Sequence, residues 1–315
     1  MADFLTAALY KFVELSDFAG LRAPLLACCE ANQVVGTILL AEEGINGTIA
    51  GVPENVYAVL AFLRSDARFA DLVHKESRSP KPPFYRLKVR LKREIVTLGV
   101  PDINPNQMAG QYVKPEEWNK LLDDPDVVVV DVRNDYEVSI GTFKGAINPQ
   151  TKSFSELPEW VEQETALHHK QKVAMFCTGG IRCEKSTAFL RKVGFDEVYH
   201  LEGGILKYLE VVPEAESRWE GECFVFDERV TVGQGLKPGD YELCRGCGHP
   251  ISPEDQTSEL FVMGVSCPYC YGTKTESQKQ NLSERQRQVE LANSRNQKHI
   301  GVRYDAQAKL DDSTN

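Results

Sequence analysis

The stretch VAMFCTGGIRCEKSTAFLRKVGF, residues 173–195, constrains this chain more than any other. An apolar strand ends at Phe176. The loop Cys177-Thr178-Gly179-Gly180-Ile181-Arg182 follows and runs into a helix. The helical spacing puts Ser186, Phe189, Leu190 and Val193 on one face, with Gly194 as the stop. A tight loop entering a helix turns several backbone N–H groups toward one centre, and the helix dipole adds partial positive charge there. Gly179 and Gly180 let the backbone turn inward, and Arg182 closes the loop with a fixed cation. A thiol in that field ionises easily, so Cys177 is expected to be a thiolate nucleophile with an anion-binding hollow beside it. A core cysteine would need neither the double glycine nor the arginine. Cys183 has two readings: a second thiol that resolves an oxidised Cys177, or a small packing residue.

The strand and helix signals around this loop divide the chain. From Phe4 to Gly99 the pattern reads β-α-β-β-α-β, a ferredoxin-like α+β module. Asp17 is expected to cap its first helix, and Val56, Val59, Leu60 and Leu63 form the apolar stripe of its second. The last strand is expected from LKVRL or EIVTL. From Tyr112 to Arg218 the apolar runs VVVVD, VAMF and VYHL alternate with helical stretches, which predicts an α/β domain on a parallel sheet. The expected division is 1–100 ferredoxin-like, 101–219 α/β, 220–274 a small cysteine-rich region, and 275–315 a polar, exposed helical tail that frays.

The net charge is −10, which ordinarily speaks against nucleic-acid binding. Residues 75–93 break that rule, with eight Lys or Arg against the single acid Glu76. Lys75, Arg78, Lys81, Arg86, Lys88, Arg90, Lys92 and Arg93 can neutralise phosphates, and Tyr85 can stack on an unpaired base. The competing reading is a solvated strand face, with Leu87, Val89 and Leu91 turned to the core.

Nine cysteines occur in a chain with neither an evident secretory signal nor an apolar run of membrane-spanning length. A cytoplasmic location, with reduced thiols, is the expectation. Cys244-Arg-Gly-Cys247 and Cys267-Pro-Tyr-Cys270 are two CxxC pairs at zinc-ribbon spacing. Four thiolates close a tetrahedral site with no open position, so a structural zinc is expected. His249 is a conceivable substitute ligand. Cys28, Cys29 and Cys223 are assigned to packing.

The segment 112–218 resembles a rhodanese domain. The features that carry the likeness are VVVVDVRNDYE with Asp131, Arg133 and Glu137, then GTFKGAIN, CTGGIR and HLEGGI. In that family the loop cysteine carries a persulfide, while the Asp and Arg of the DVR motif support the fold. Here Thr178, Gly179 and Gly180 stand where common sulfurtransferases place a cation. Nearly the whole chain up to Lys274 is similar to the rhodanese-type tRNA uridine hydroxylases, through AEEGINGTIAG, the basic stretch, CTGGIRCEKS, HLEGGI, WEGECFVFDERV and the CxxC pairs. The resemblance implies dioxygen-dependent conversion of the wobble uridine to 5-hydroxyuridine, with Cys177 as the essential cysteine. It implies a tRNA anticodon arm as partner, with neither DNA nor membrane, and leaves the electron donor open. On this reading the base enters a pocket above Cys177, whose sulfur adds at C6 of the uracil. The alternatives are a sulfurtransferase with a persulfide on Cys177, and a non-catalytic RNA-binding adaptor.

Overall fold

The first strand, β1 (Phe4–Phe12), turns Leu5, Ala7 and Leu9 into an apolar core, because alternate residues of a strand share a face. In the computed structural model, which describes residues 4–168 and 172–295, residues up to Glu242 form one unit and those from Leu243 a second. After β1 come α1 (Phe18–Ala31), β2 (Val35–Ala41), β3 (Gly44–Gly51), α2 (Pro53–Arg64), β4 (His74–Ser79) and β5 (Leu87–Leu91). The sheet order is β4-β1-β3-β2-β5. The first four strands are antiparallel to their neighbours and make the ferredoxin-like arrangement, with both helices packed on the shared core.

Three expectations change here. The closing strand of the split motif is β4, sequence HKESRS, and not LKVRL or EIVTL. It escapes a hydrophobic search because it is an edge strand whose side chains are mostly half-exposed or exposed. LKVRL forms β5, which adds parallel to β2 on the opposite edge, and EIVTL is irregular. Of its apolar residues Val89 is buried, while Leu91 is 42% exposed at the edge. Asp17 sits at the N-cap of α1 without capping it; its carboxylate pairs with Arg68.

The chain continues through α3 (Pro105–Met108), β6 (Gln111–Val113), α4 (Pro115–Leu122), β7 (Val127–Asp131), α5 (Asp135–Val138), β8 (Gly141–Phe143), α6 (Leu157–Gln163) and α7 (Thr165–His168). Then follow β9 (Lys172–Phe176), α8 (Ile181–Lys192), β10 (Glu197–Leu201) and α9 (Gly204–Val211). The parallel sheet runs β6-β10-β9-β7, and the three apolar runs are β7, β9 and β10. Alternation splits them between two cores. Val128, Val130, Val173 and Met175 pack with Phe189 and Leu190 on one face. Val129, Ala174 and Phe176 pack with Trp118 and Tyr208 on the other. Helix α8 is buried on all sides from Arg182 to Leu190, so its amphipathic reading fails, and Val193 at its C-cap is 48% exposed. Gly194 does follow it in the left-handed region.

Three short strands complete the first unit. β11 (Trp219–Gly221) pairs with β8, and β12 (Cys223–Phe224) pairs with β13 (Thr231–Val232). In the cysteine-rich region β14 (Glu242–Leu243) pairs with β15 (Pro250–Ile251). The tail forms α10 (Glu276–Ser294), opened by a reciprocal Thr275–Gln278 capping box and burying none of its residues. The expected frayed end, 296–315, lies outside the described residues, as do residues 1–3. Among the described residues no helix is long and apolar enough to cross a membrane.

Candidate active site

The loop after β9 wraps around its own first side chain. Cys177 ends the strand with no exposed surface, and the Gly180 N–H donates to its Sγ at 3.1 Å. Cys183, in the first turn of the helix that Gly180 caps, is buried in the same apolar cluster as that sulfur. The loop carbonyls point away and are held from outside. Ile205 N–H donates to Cys177 O and Leu206 N–H to Thr178 O, both at 3.0 Å, from the first turn of α9. This is what HLEGGI is for: Gly204 has φ +67°, and a Cβ there would lie 2.5 Å from Cys177 O and 2.7 Å from Gly180 N. Gly180 itself has φ +99° at the N-cap of α8, and a Cβ there would meet the Tyr10 hydroxyl at 2.9 Å.

Burial alone would raise the Cys177 pKa. The Cys183 thiol, the Arg182 guanidinium and the N–H groups of Cys183 and Gly180 overcome it and bring the value to about 5. Burial and the neighbouring Cys177 sulfur push the Cys183 thiol well above its ordinary value. The surroundings thus drive the two sulfurs in opposite directions, Cys177 toward the thiolate and Cys183 toward the protonated thiol.

Arg182 closes the loop as a fixed cation, and what fixes it is a buried carboxylate. Its guanidinium makes a bidentate bond to Glu137 at 2.7 and 2.8 Å and touches Thr178 Oγ1 at 3.3 Å. Glu137 is fully buried, and although burial opposes its ionisation, Arg182 holds its pKa below the ordinary range. Its second task is to accept the Asn134 N–H in the capping box of α5. In the DVR motif Arg133 clasps Asp131 at 2.9 and 2.6 Å and donates to Gly141 O at 2.5 Å. Its remaining nitrogen, Nη1, has no hydrogen-bond partner among the described residues, and the guanidinium lies 5.1 Å from the Trp219 ring centroid. This motif therefore braces β7 against β8 and β11 and stays apart from the thiol.

The ferredoxin-like module reaches into the loop. Lys75 Nζ, from β4, donates to Gly179 O at 2.9 Å and lies 5.4 Å from the Tyr10 ring centroid. Tyr10 and Tyr112 donate to Glu184 at 3.1 and 2.6 Å, and burial raises the Glu184 pKa. Ile181 packs on Phe12, Ala41 and Ile95. Lys185 joins Glu43 and Glu94 at 2.7 and 2.5 Å. Sequence reasoning missed Tyr10, Tyr112 and Glu184, because a polar network assembled from distant strands leaves no spacing signal. Glu184, next to Cys183, was the visible clue. Cys177 has no exposed surface, so the expected hollow does not open onto the sulfur in this conformation. An empty volume of about 300 Å³ instead lies alongside, lined by Thr6, Ala8, Lys75, Ser77, Leu206 and Arg229 among others.

The basic stretch divides by role. Lys75 belongs to the loop contacts above, whereas Arg78, Lys81, Tyr85, Arg86, Lys88, Arg90, Lys92 and Arg93 are all exposed, on the end of β4, on β5 and in the segments between and after them. Lys88 and Arg90 lie on β5 at one edge of the sheet, whereas Arg78 lies on β4 at the other.

In the second unit the four cysteines converge. The Sγ atoms of Cys244, Cys247, Cys267 and Cys270 lie within 4.8 Å of one another. The Cys244–Cys270, Cys247–Cys267 and Cys267–Cys270 separations are 3.9, 3.8 and 3.8 Å. A tetrahedral tetrathiolate with metal–sulfur bonds of ~2.3 Å has sulfur–sulfur edges of about 3.8 Å. The residues therefore fit a bound metal ion. His249 is not part of this group; its ring stacks on Tyr269 at 3.8 Å. Cys29 and Cys223 are core residues and Cys28 is half-buried against the first core, as expected.

Comparison with known proteins agrees with this architecture. Residues 4–95 match the family described as the UPF0176 acylphosphatase like domain, and residues 114–210 match the rhodanese-like domain. A curated protein of Acaryochloris marina named tRNA uridine(34) hydroxylase is 70% identical over 96% of this chain and 98% of its own length. Proteins of that name from Albidiferax ferrireducens and Rhizobium etli are 65% and 60% identical, covering 96% and 95% of this chain and 96% of each relative. With near full-length identity at these levels, the chain belongs to the tRNA uridine(34) hydroxylase family.

Proposed function

We propose that this protein hydroxylates the wobble uridine of tRNA to 5-hydroxyuridine, with dioxygen as co-substrate and Cys177 as the nucleophile. The observation that carries the reading is the buried Cys177 sulfur, which accepts the Gly180 N–H in a loop that Lys75 of a second, basic module fastens, in surroundings that lower its pKa. A thiolate adds to C6 of an extruded uracil and makes C5 nucleophilic toward oxygen, which an uncharged thiol does poorly. Tyr10, Tyr112 and Glu184 hold the proton inventory at the seam, and Lys75 fixes the loop through Gly179 O. Because Cys177 is covered, base entry requires Lys75 and Tyr10 to lift from the loop.

The exposed cations of β5 and its flanks hold the anticodon arm by its phosphates, with Tyr85 available for stacking. The functional division follows 1–100 for RNA binding, 101–219 for chemistry, 220–274 for the metal region and 275–315 for the tail, in a cytoplasmic enzyme. Zinc is the ion that four thiolates at these separations favour, in a structural role. Sulfur transfer is the poorer account. Thr178, Gly179 and Gly180 offer no cation, and Arg182 is committed to Glu137, so thiosulfate would meet no free charge. The test is nucleoside mass spectrometry of tRNA from cells lacking the protein. Loss of the uridine species heavier by one oxygen supports the proposal; loss of a thio-nucleoside instead supports sulfur transfer.

A further inference from the structure

We infer that Cys177 and Cys183 together are the immediate two-electron donor of the reaction, alternating between a dithiol and a disulfide in each turnover. The inference rests on the hydroxylation reading and supplies the reductant that reading lacks. Reduction of dioxygen to one inserted oxygen and one water takes two electrons beyond those of the substrate C–H bond, and two thiols becoming a disulfide yield that number.

The geometry singles out this pair. Cys177 and Cys183 are both without exposed surface, and they are the only cysteines in their apolar cluster among the described residues. Cys29 and Cys223 lie in other clusters, and the remaining paired cysteines form the metal group. Gly180, the N-cap of α8, donates to the Cys177 sulfur at 3.1 Å, so that sulfur sits at the end of the helix whose first turn carries Cys183, and the two residues share one buried cluster. Cys183 sits in the first turn of α8, whose whole start is locked by Arg182–Glu137 and Lys185–Glu94. A thiol kept only for packing needs no such alignment. The Cys177 charge that helps keep Cys183 protonated disappears once Cys177 is a neutral sulfenic acid, which eases ionisation of the attacking thiol.

The balance is as follows. Cys177 sulfur bonds to C6 of uracil and C5 takes dioxygen, forming a C5 hydroperoxide. Loss of the C5 proton breaks the S–C6 bond and releases the thiolate. That thiolate attacks the distal peroxide oxygen: the O–O bond breaks, the uracil keeps one oxygen as 5-hydroxyuridine, and Cys177 becomes a sulfenic acid. Cys183 sulfur then attacks Cys177 sulfur. The S–S bond forms, the S–O bond breaks, and hydroxide leaves with the Cys183 proton as water. An external dithiol resets the pair by thiol–disulfide exchange.

The experiment uses the full-length protein, reduced with dithiothreitol and then freed of it, mixed with tRNA lacking the modification in aerated buffer. The expected result is about one 5-hydroxyuridine per chain, matched by a Cys177–Cys183 peptide lighter by two hydrogens, with turnover restored on adding dithiothreitol. In Cys183→Ser the first product still forms, dimedone traps Cys177 as a sulfenic acid, and steady turnover falls by about tenfold or more. The inference is overturned if wild type completes its first turnover while both thiols remain reduced, or if Cys183→Ser turns over at the wild-type rate without trapped sulfenic acid. Absence of any 5-hydroxyuridine from wild type supplied with excess dithiothreitol overturns the hydroxylation reading itself, and the inference with it.

Discussion

Replacing Cys183 by alanine removes a thiol that draws Cys177 toward its ionised form and leaves the Gly180 N–H on the sulfur in place. Hydrogen bonds to a charged group contribute about 1.5–3 kcal/mol, and a thiol is a weak donor, so the loss is at the lower end. At ~1.4 kcal/mol per pKa unit this moves Cys177 up by about one unit. The wild-type thiolate titrates at about 5, so the variant is expected at about 6. The assay is thiolate absorbance against pH, taken as the difference between each protein and its counterpart carrying Cys177→Ala. Stability follows the same linkage. The folded pKa lies below the unfolded value of ~8.5, so the Cys177 contribution is complete above the unfolded value and is lost as pH falls toward about 5. The gap in stability between wild type and Cys177→Ala should therefore narrow on acidification through that window. A wild-type midpoint near 8.5, or an unchanged midpoint in Cys183→Ala, refutes the electrostatic reasoning.

Glu137→Gln leaves Arg182 buried without its counter-charge, and urea denaturation should show a loss of about 3–5 kcal/mol; a loss below ~1 kcal/mol would mean the pair is dispensable. Charge reversal at Lys88 and Arg90 on β5 should weaken tRNA binding and reduce the salt dependence of log K by about one unit per lost phosphate contact, read by filter binding across salt concentrations. Chelation of the bound metal should release four reactive thiols from Cys244, Cys247, Cys267 and Cys270, counted by alkylation and mass spectrometry, while Cys177 stays as protected as before.

Much of the site could be read from sequence because it is contiguous. Strand, double glycine, arginine and helix lie within one run of residues, and the Gly180 N–H of that loop reaches the Cys177 sulfur. The two CxxC pairs were legible for the same reason. What escaped depends on residues far apart in the chain. Glu137 captures Arg182 from 45 positions away and Tyr10 reaches Glu184 from 174 away, which no local pattern encodes. Strand β4 was missed because an edge strand has little to bury, and β5 took its place in the reading because its apolar alternation is stronger. The same logic explains Lys75. It reads as one more cation in a basic run, yet the pairing of β4 with β1 sets it beside Tyr10 and against the loop.

The central claim is that the Cys177 sulfur bonds to the wobble base, and a tRNA carrying 5-fluorouridine at position 34 tests it most directly. Fluorine at C5 blocks the proton loss that frees the sulfur, so the adduct should persist. Incubation with the wild-type protein should give a covalent protein–RNA species whose peptide maps to Cys177, absent from Cys177→Ala. An enzyme that hydroxylates ordinary tRNA yet forms no adduct at Cys177, or forms it at another residue, would contradict the account.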